Sequence, residues 1–184
     1  APDQVAQMLL QDVAEIGIAT ESLAAYEDLV TLPCYEWQHV LVLPLGHPLA
    51  ARARLTLEDI AEHPLITYHP SFTGRTRIDH AFAAKKLQPR IALEAIDSDV
   101  IKTYVRLGLG VGIVAEMAVK DDPVQDLLVR PLGPLLGMNV ARVAFKRGAY
   151  LRHFVYQFAE LLSDRLTASL VAKAMSGQAN DYEL

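Results

Sequence analysis

The placement of three glycines constrains this chain more than any other feature. Residues 95–118 read AIDSDVIKTYVRLGLGVGIVAEMA. Asp97 or Ser98 can cap a helix, and Asp99 adds negative charge to its first turn. Ile101, Tyr104, Val105 and Leu109 follow at helical spacing. Then come Gly108, Gly110 and Gly112, overlapping the apolar run 111–115. The order is helix, glycines, strand. A dinucleotide fingerprint needs strand, glycines, helix, so that a helix N-terminus faces the pyrophosphate. Here the glycines read as a helix C-cap and a tight entry into a buried strand. The segment argues against a nucleotide enzyme and for an α/β receptor of small ligands.

With 184 residues, 52% of them hydrophobic, the chain can build one full core or two small lobes. No apolar run approaches the ~20 residues that span a bilayer. The opening APDQVAQM has neither the basic nor the apolar region of a signal peptide. Cys34 is the one cysteine, so no internal disulfide forms, which fits a reducing, cytoplasmic compartment. A net charge of −5 does not suit binding to nucleic acid by counterion release, so DNA reading is expected outside this sequence.

Pro2 suits the first turn of a helix whose apolar face is Val5, Met8 and Leu9. Residues 15–20 read as a strand ending in a polar residue, and 27–35 and 37–44 as two more. The nearly all-apolar run 39–43 suits a strand covered on both faces. A turn at 46–48 precedes Thr56-Leu-Glu-Asp59, which resembles a capping box before a short helix that stops at Pro64. A strand follows at 65–68, a loop at 69–74, and a helix over 75–87 with Ile78, Phe82 and Leu87 inward. Residues 90–95 form another strand. Leu107 is a core candidate, whose change to Asp would unfold the surrounding lobe. Asp121-Asp-Pro123 breaks the chain. Residues 127–131 read as a strand, 133–137 as a loop and 140–146 as the last strand. The longest helix is predicted over 150–170, burying Leu151, Phe154, Val155, Phe158, Leu161 and Leu162. The tail frays from Ser176. The alternation of elements gives an α/β class with largely parallel sheet.

Six histidines (His39, His47, His63, His69, His80, His153) are scattered without a ligand pair on a helix face, so no metal site is expected. Cys34 reads as a small buried thiol. Asp97 and Asp99 read as cap and dipole partners before they read as an acid/base pair. Lys102 and Arg106, four apart, read as a solvated basic stripe. Ser71-Phe-Thr73-Gly-Arg75 is the stronger candidate: hydroxyls, a glycine and a cation sit where a helix start favours an anion, and ordinary capping by Thr73 is the alternative. Thr20 ends a strand, where ligands of open α/β sheets sit. Trp37, the one tryptophan, either walls a pocket or fills the core.

These pieces also fit a known pattern. Ala19-Thr-Glu21, Tyr26-Glu-Asp-Leu-Val30, Leu32-Pro-Cys-Tyr35 with Trp37, His47-Pro-Leu-Ala50, Phe72-Thr-Gly-Arg75, and the run from Asp99 to Gly112 strongly resemble the CysB subfamily of LysR-type transcriptional regulators. The similarity runs from Pro2 to about Leu162. HPLA and RLGLGVG resemble LysR-type regulators at large, and the other runs carry the subfamily.

The resemblance implies an effector-binding domain of two Rossmann-like lobes joined by two crossover strands, like a type II periplasmic-binding protein. Residues 1–36 and 139–184 would form the first lobe and 37–138 the second, with crossovers near 35–38 and 138–140. The winged helix-turn-helix, its linker helix, and the first strand and helix of the effector domain are expected outside these 184 residues, leaving the first lobe incomplete. Ligands of the subfamily are acetylserine, sulfate and thiosulfate, bound between the lobes. By similarity Thr20, Trp37 and Thr73 match ligand-site residues, Gly74 and Arg75 sit at the rim, and Phe72, Thr67 and Tyr68 complete the set. The loop Tyr68-His-Pro-Ser71 departs from the family by having less glycine and aromatic character. No cofactor is implied. The implied partners are the effector, DNA through the N-terminal domain only, further copies in a homodimer or homotetramer, and RNA polymerase. No membrane is implied. A stand-alone solute-binding protein of the same architecture and a small enzyme using Cys34 or the Asp97/Asp99 pair are the alternatives.

Overall fold

Strand-forming and helix-forming segments alternate along the chain, and the computed structural model describes residues 1–120 and 126–177. Helix α1 (Pro2–Leu10) leads to β1 (Gly17–Thr20), a 3₁₀ turn (Glu21–Ala25) and the long β2 (Leu29–Pro44). A second 3₁₀ turn (Pro48–Ala51) precedes α2 (Leu57–Ala61) and β3 (Leu65–Tyr68). Then come α3 (Thr73–Ala84), β4 (Ile91–Ala95), α4 (Ser98–Arg106), β5 (Val111–Ala115) and α5 (Met117–Lys120). The chain continues through β6 (Leu127–Pro131), α6 (Gly133–Leu136), β7 (Met138–Lys146), α7 (His153–Leu162) and α8 (Ala168–Met175).

These elements gather into two compact units, one built from residues 1–36 and 139 onward, the other from Trp37–Met138. In the first, β1 runs antiparallel to β7, with Gly17 opposite Ala144 and Thr20 opposite Ala141. β7 lies beside β2. Val30, Leu32, Val143, Phe145, Leu151, Val155 and Leu166 pack α7 and α8 against this sheet.

In the second unit the strand order is β6, β2, β5, β3, β4. β2 runs antiparallel to β5, with His39 opposite Ala115, and to β6, with Val40 opposite Pro131. β3 runs parallel to both β4 and β5. The parallel strands therefore end on one edge, and α3 and α4 each begin just past such an end. Helix α4 closes in the manner its sequence dictates. Gly108 adopts φ +76, and the amides of Gly108 and Leu109 bond back to Val105 and Tyr104. Gly112 lets α4 seat on the sheet, since a Cβ there would lie 2.6 Å from Val42 and 2.8 Å from Val105.

Several expectations change. The strands foreseen at 27–35 and 37–44 are one strand of 16 residues, because nothing at Tyr35-Glu36 turns the chain. The sheet is mixed, with β1/β7, β2/β5 and β2/β6 antiparallel. Alternating element order does not fix the direction in which strands distant in sequence meet. Residues 133–136 form a helical turn, with Pro134 in its first turn, where its missing N–H is harmless. Helix α3 starts two residues early and stops at Ala84. The helix foreseen over 150–170 is two helices: Ser163 is extended, and Thr167 caps α8 through the Leu170 amide. Its buried face is Leu151, Val155 and Ala159, whereas Leu161 is 85% exposed and Phe154 and Phe158 are exposed. The period was right and the phase was set by the wrong large side chains. Likewise α1 buries Ala6 and Leu9 and exposes Met8. Leu107, past the helix end, is 67% exposed, so its change to Asp would not unfold the unit. Lys102 is 5% exposed and donates to Ala118 O at 2.8 Å and to Asp99 at 2.9 Å, while Arg106 pairs with Asp126. The basic stripe is thus not a solvated face. The break at 121–123 and the tail beyond Gly177 lie outside the described residues.

Candidate functional site

The opening turn of α3 organises the expected site. Its N-cap is Phe72, in extended backbone and with no side-chain acceptor to offer. Thr73, for which capping was the alternative to anion binding, is the first helical residue, and its side chain lies outside the described atoms. The first-turn N–H groups of Thr73 and Gly74 have no acceptor within the helix, while the Arg75 amide bonds to Phe72 O at 3.0 Å.

This turn rests on β2. A Cβ at Gly74 would sit 2.9 Å from Nε2 of His39 and 3.9 Å from the Trp37 indole, so only glycine permits the approach. Trp37 is half-buried and meets the fully buried His39 edge-on, with ring centroids 4.9 Å apart at 63°. Beside Trp37, the Glu116 carboxylate accepts from the backbone and side-chain amides of Gln38 at 3.1 and 3.3 Å. The Gln38 side-chain oxygen accepts from Gly133 N at 3.0 Å. His39, Gln38 and Glu116 were missed by the sequence reading. The one signal for His39 was a histidine at the edge of an apolar run.

The remaining expected residues of this unit are held by the protein itself. Thr67 is fully buried and its hydroxyl donates to Ile113 O at 3.2 Å. The Tyr68 hydroxyl lies 2.7 Å from the Ser98 hydroxyl and accepts from Ala115 N at 3.0 Å. Its ring faces that of Phe72 at 6.1 Å. Arg75, 7% exposed, donates Nε to Asp79 at 2.7 Å and Nη1 to Tyr68 O at 2.8 Å and Glu94 at 2.7 Å. Burial works against its charge, but the hydrogen bonds it donates to Asp79 and Glu94 more than offset this and leave its pKa raised. Thr20 belongs to the other unit, at the end of β1, with its hydroxyl 3.0 Å from that of Ser22.

The enzyme alternatives find no support here. Cys34 is buried, and burial pushes its thiol pKa up, away from the reactive thiolate. Asp97 accepts from Asp99 N at 2.6 Å and acts as the cap of α4. Among the described residues no cluster of three or more His, Cys, Asp or Glu side chains is placed to hold a metal, and no helix is long and apolar enough to cross a membrane. The first unit also carries a cavity of about 500 Å³ between Asp12 and Arg152, bordered by the Lys146–Asp12 and Arg152–Glu15 ion pairs, which contains none of the expected residues.

Residues 1–167 match the LysR substrate binding domain family. The chain belongs to this family. Among its relatives, the transcriptional regulator CysB of Burkholderia cenocepacia is 52% identical over 184 residues, covering all of this chain and 59% of that protein. The regulator Cbl of Escherichia coli K12 is 41% identical over 186 residues, again all of this chain and 59% of that protein. The crystal structure of the cofactor-binding domain of Cbl has a TM-score of 0.89 at 42% identity, covering 95% of this chain and 77% of that one. The α/β fold is that of LysR effector-binding domains. The chain spans under two thirds of the length of these curated relatives.

Proposed function

We propose that the chain is the effector-sensing part of a LysR-type regulator of sulfur assimilation and cysteine biosynthesis, and acts in the cytoplasm without catalysing a reaction. Its effector is a small anion or zwitterion, namely acetylserine, sulfate or thiosulfate. Family membership and the identity to CysB and Cbl support the class. The observation that carries the site is the opening turn of α3, which has no side-chain cap of its own and lies against Trp37 and His39. Thr73 and Gly74 present N–H groups to the anion beside Phe72, whose own amide is held by His69 O, and Trp37 walls it. Thr67, Tyr68 and Arg75 support these residues from behind. DNA contact belongs to the N-terminal domain of the whole protein, which works as a homodimer or homotetramer and signals to RNA polymerase. Effector binding shifts the equilibrium between two arrangements of that assembly by no more than its differential affinity for them. Titration of the intact protein with sulfate and with acetylserine tests the reading, followed by calorimetry and by Trp37 emission. A saturable response to at least one is expected, and silence to both would overturn it.

A further inference from the structure

We infer that Arg75 is a positioning residue: it sets the opening turn of α3 and does not itself meet the effector's charge. The inference rests on the anion site proposed above and refines it. Three bonds from one side chain reach three elements: Asp79 one turn further along α3, the carbonyl of Tyr68 at the end of β3, and Glu94 on β4. The guanidinium is a rigid fork, so fixing two of its nitrogens fixes its plane and the helix turn that carries it. That turn is the one whose Gly74 lies against His39 and Trp37. The charge count points the same way. One cation faces two carboxylates, so the cluster of Arg75, Asp79 and Glu94 carries a net negative charge and does not attract an anion through space. The anion is met by backbone N–H groups of the turn, and Arg75 holds those groups in place.

Two variants separate positioning from charge, because the two roles predict opposite signs. Glu94 is partly exposed, so Glu94→Gln leaves the fold intact while removing a negative charge beside the site. If Arg75 served as the counter-charge, freeing it would tighten sulfate binding. As a positioning residue with a weakened clamp, it should make sulfate bind about two- to fivefold more weakly, the scale of a partly exposed ion pair. The loss should persist when salt rises from 0.15 to 0.5 M, since a through-space contribution would be screened and a geometric one would not. Arg75→Lys keeps the charge and loses the fork, and should bind sulfate about tenfold more weakly. Both variants of the intact protein should shift Trp37 emission before any ligand is added. Tighter or unchanged binding in Glu94→Gln, wild-type binding in Arg75→Lys, or unmoved Trp37 emission in both would each overturn the inference. Absence of sulfate binding by the unmodified protein would instead overturn the anion site itself.

Discussion

Helices α3 and α4 start in equivalent places, each just past the end of a parallel strand, yet their first turns are built oppositely. At α4 the Asp97 side chain accepts from the Asp99 amide, and Asp99 adds a second carboxylate to the turn. Negative charge supplied by the chain already answers the helix dipole there. At α3 the cap is Phe72, no acidic residue lies in the first turn, and a glycine stands second. The same backbone positions that α4 satisfies with its own side chains are left at α3 for something else to satisfy. The pair teaches that a helix start is read by what it lacks. The sequence of α4 advertises capping chemistry and uses it for stability, whereas α3 withholds it.

The most severe way to break the contrast is to give α3 what α4 has. Phe72→Asp supplies a capping carboxylate, and sulfate affinity should fall by about tenfold or more, since the resident carboxylate competes for the same N–H groups and repels the anion. The melting temperature should hold or rise. Phe72→Ala removes the ring contact with Tyr68 without adding the cap and should weaken sulfate far less; calorimetry on the two variants separates these effects. Gly74→Ala is next. In an ordinary helix this change stabilises by up to about 1 kcal/mol. Here the added methyl meets His39 at 2.9 Å, and overpacking of this kind costs about 1–3 kcal/mol. Denaturant unfolding should therefore show a net loss of stability, and Trp37 emission should shift. A stabilised Gly74→Ala protein would mean that α3 does not press on β2.

The contrast also explains which parts could be read from sequence. The Asp97 cap, the Gly108 C-cap and the buried run after Gly110 all lie within 19 residues and obey local rules, and the structure reproduces them residue by residue. The Thr56–Asp59 capping box was legible for the same reason. The role of Arg75 was not: Asp79 is a helical neighbour four residues on, but Tyr68 and Glu94 lie on β3 and β4, up to 19 residues away, and no spacing rule encodes them. Lys102 looked like one more surface cation until the fold placed Ala118 O beside it. In α7 the aromatic side chains of Phe154 and Phe158 suggested a phase that packing did not adopt, since Val155 and Ala159 are the residues that fit against the sheet.

A gentler change sharpens the contrast from the other side. Asp97→Ala should cost about 1 kcal/mol of stability, the usual worth of a cap, and leave sulfate affinity unchanged. A loss of sulfate affinity in this variant would mean that the two starts are not independent.

The smallest effect expected concerns a third start, the 3₁₀ turn Pro48–Ala51, which is capped by an imidazole. Nδ1 of His47 accepts from the Leu49 amide at 3.2 Å, which requires a ring nitrogen with a free lone pair. Burial, and then the neighbouring His63 ring 4.7 Å away, hold the pKa of His47 below its ordinary value. The folded protein therefore binds this proton more weakly than the unfolded chain does. The stabilisation is fully present above the unfolded pKa of about 6.5 and is lost progressively as pH falls below it. Asp59, which caps α2 with Thr56, is the internal reference. Its hydrogen bond from the Thr56 hydroxyl lowers its pKa, so its contribution persists until pH falls below about 4. Between pH 7.5 and 5.5 the hydrogen-exchange protection of the Leu49 amide should decline while that of the Asp59 amide stays level. A Leu49 protection factor that does not move over this range would show that the His47 lone pair is not what holds the turn.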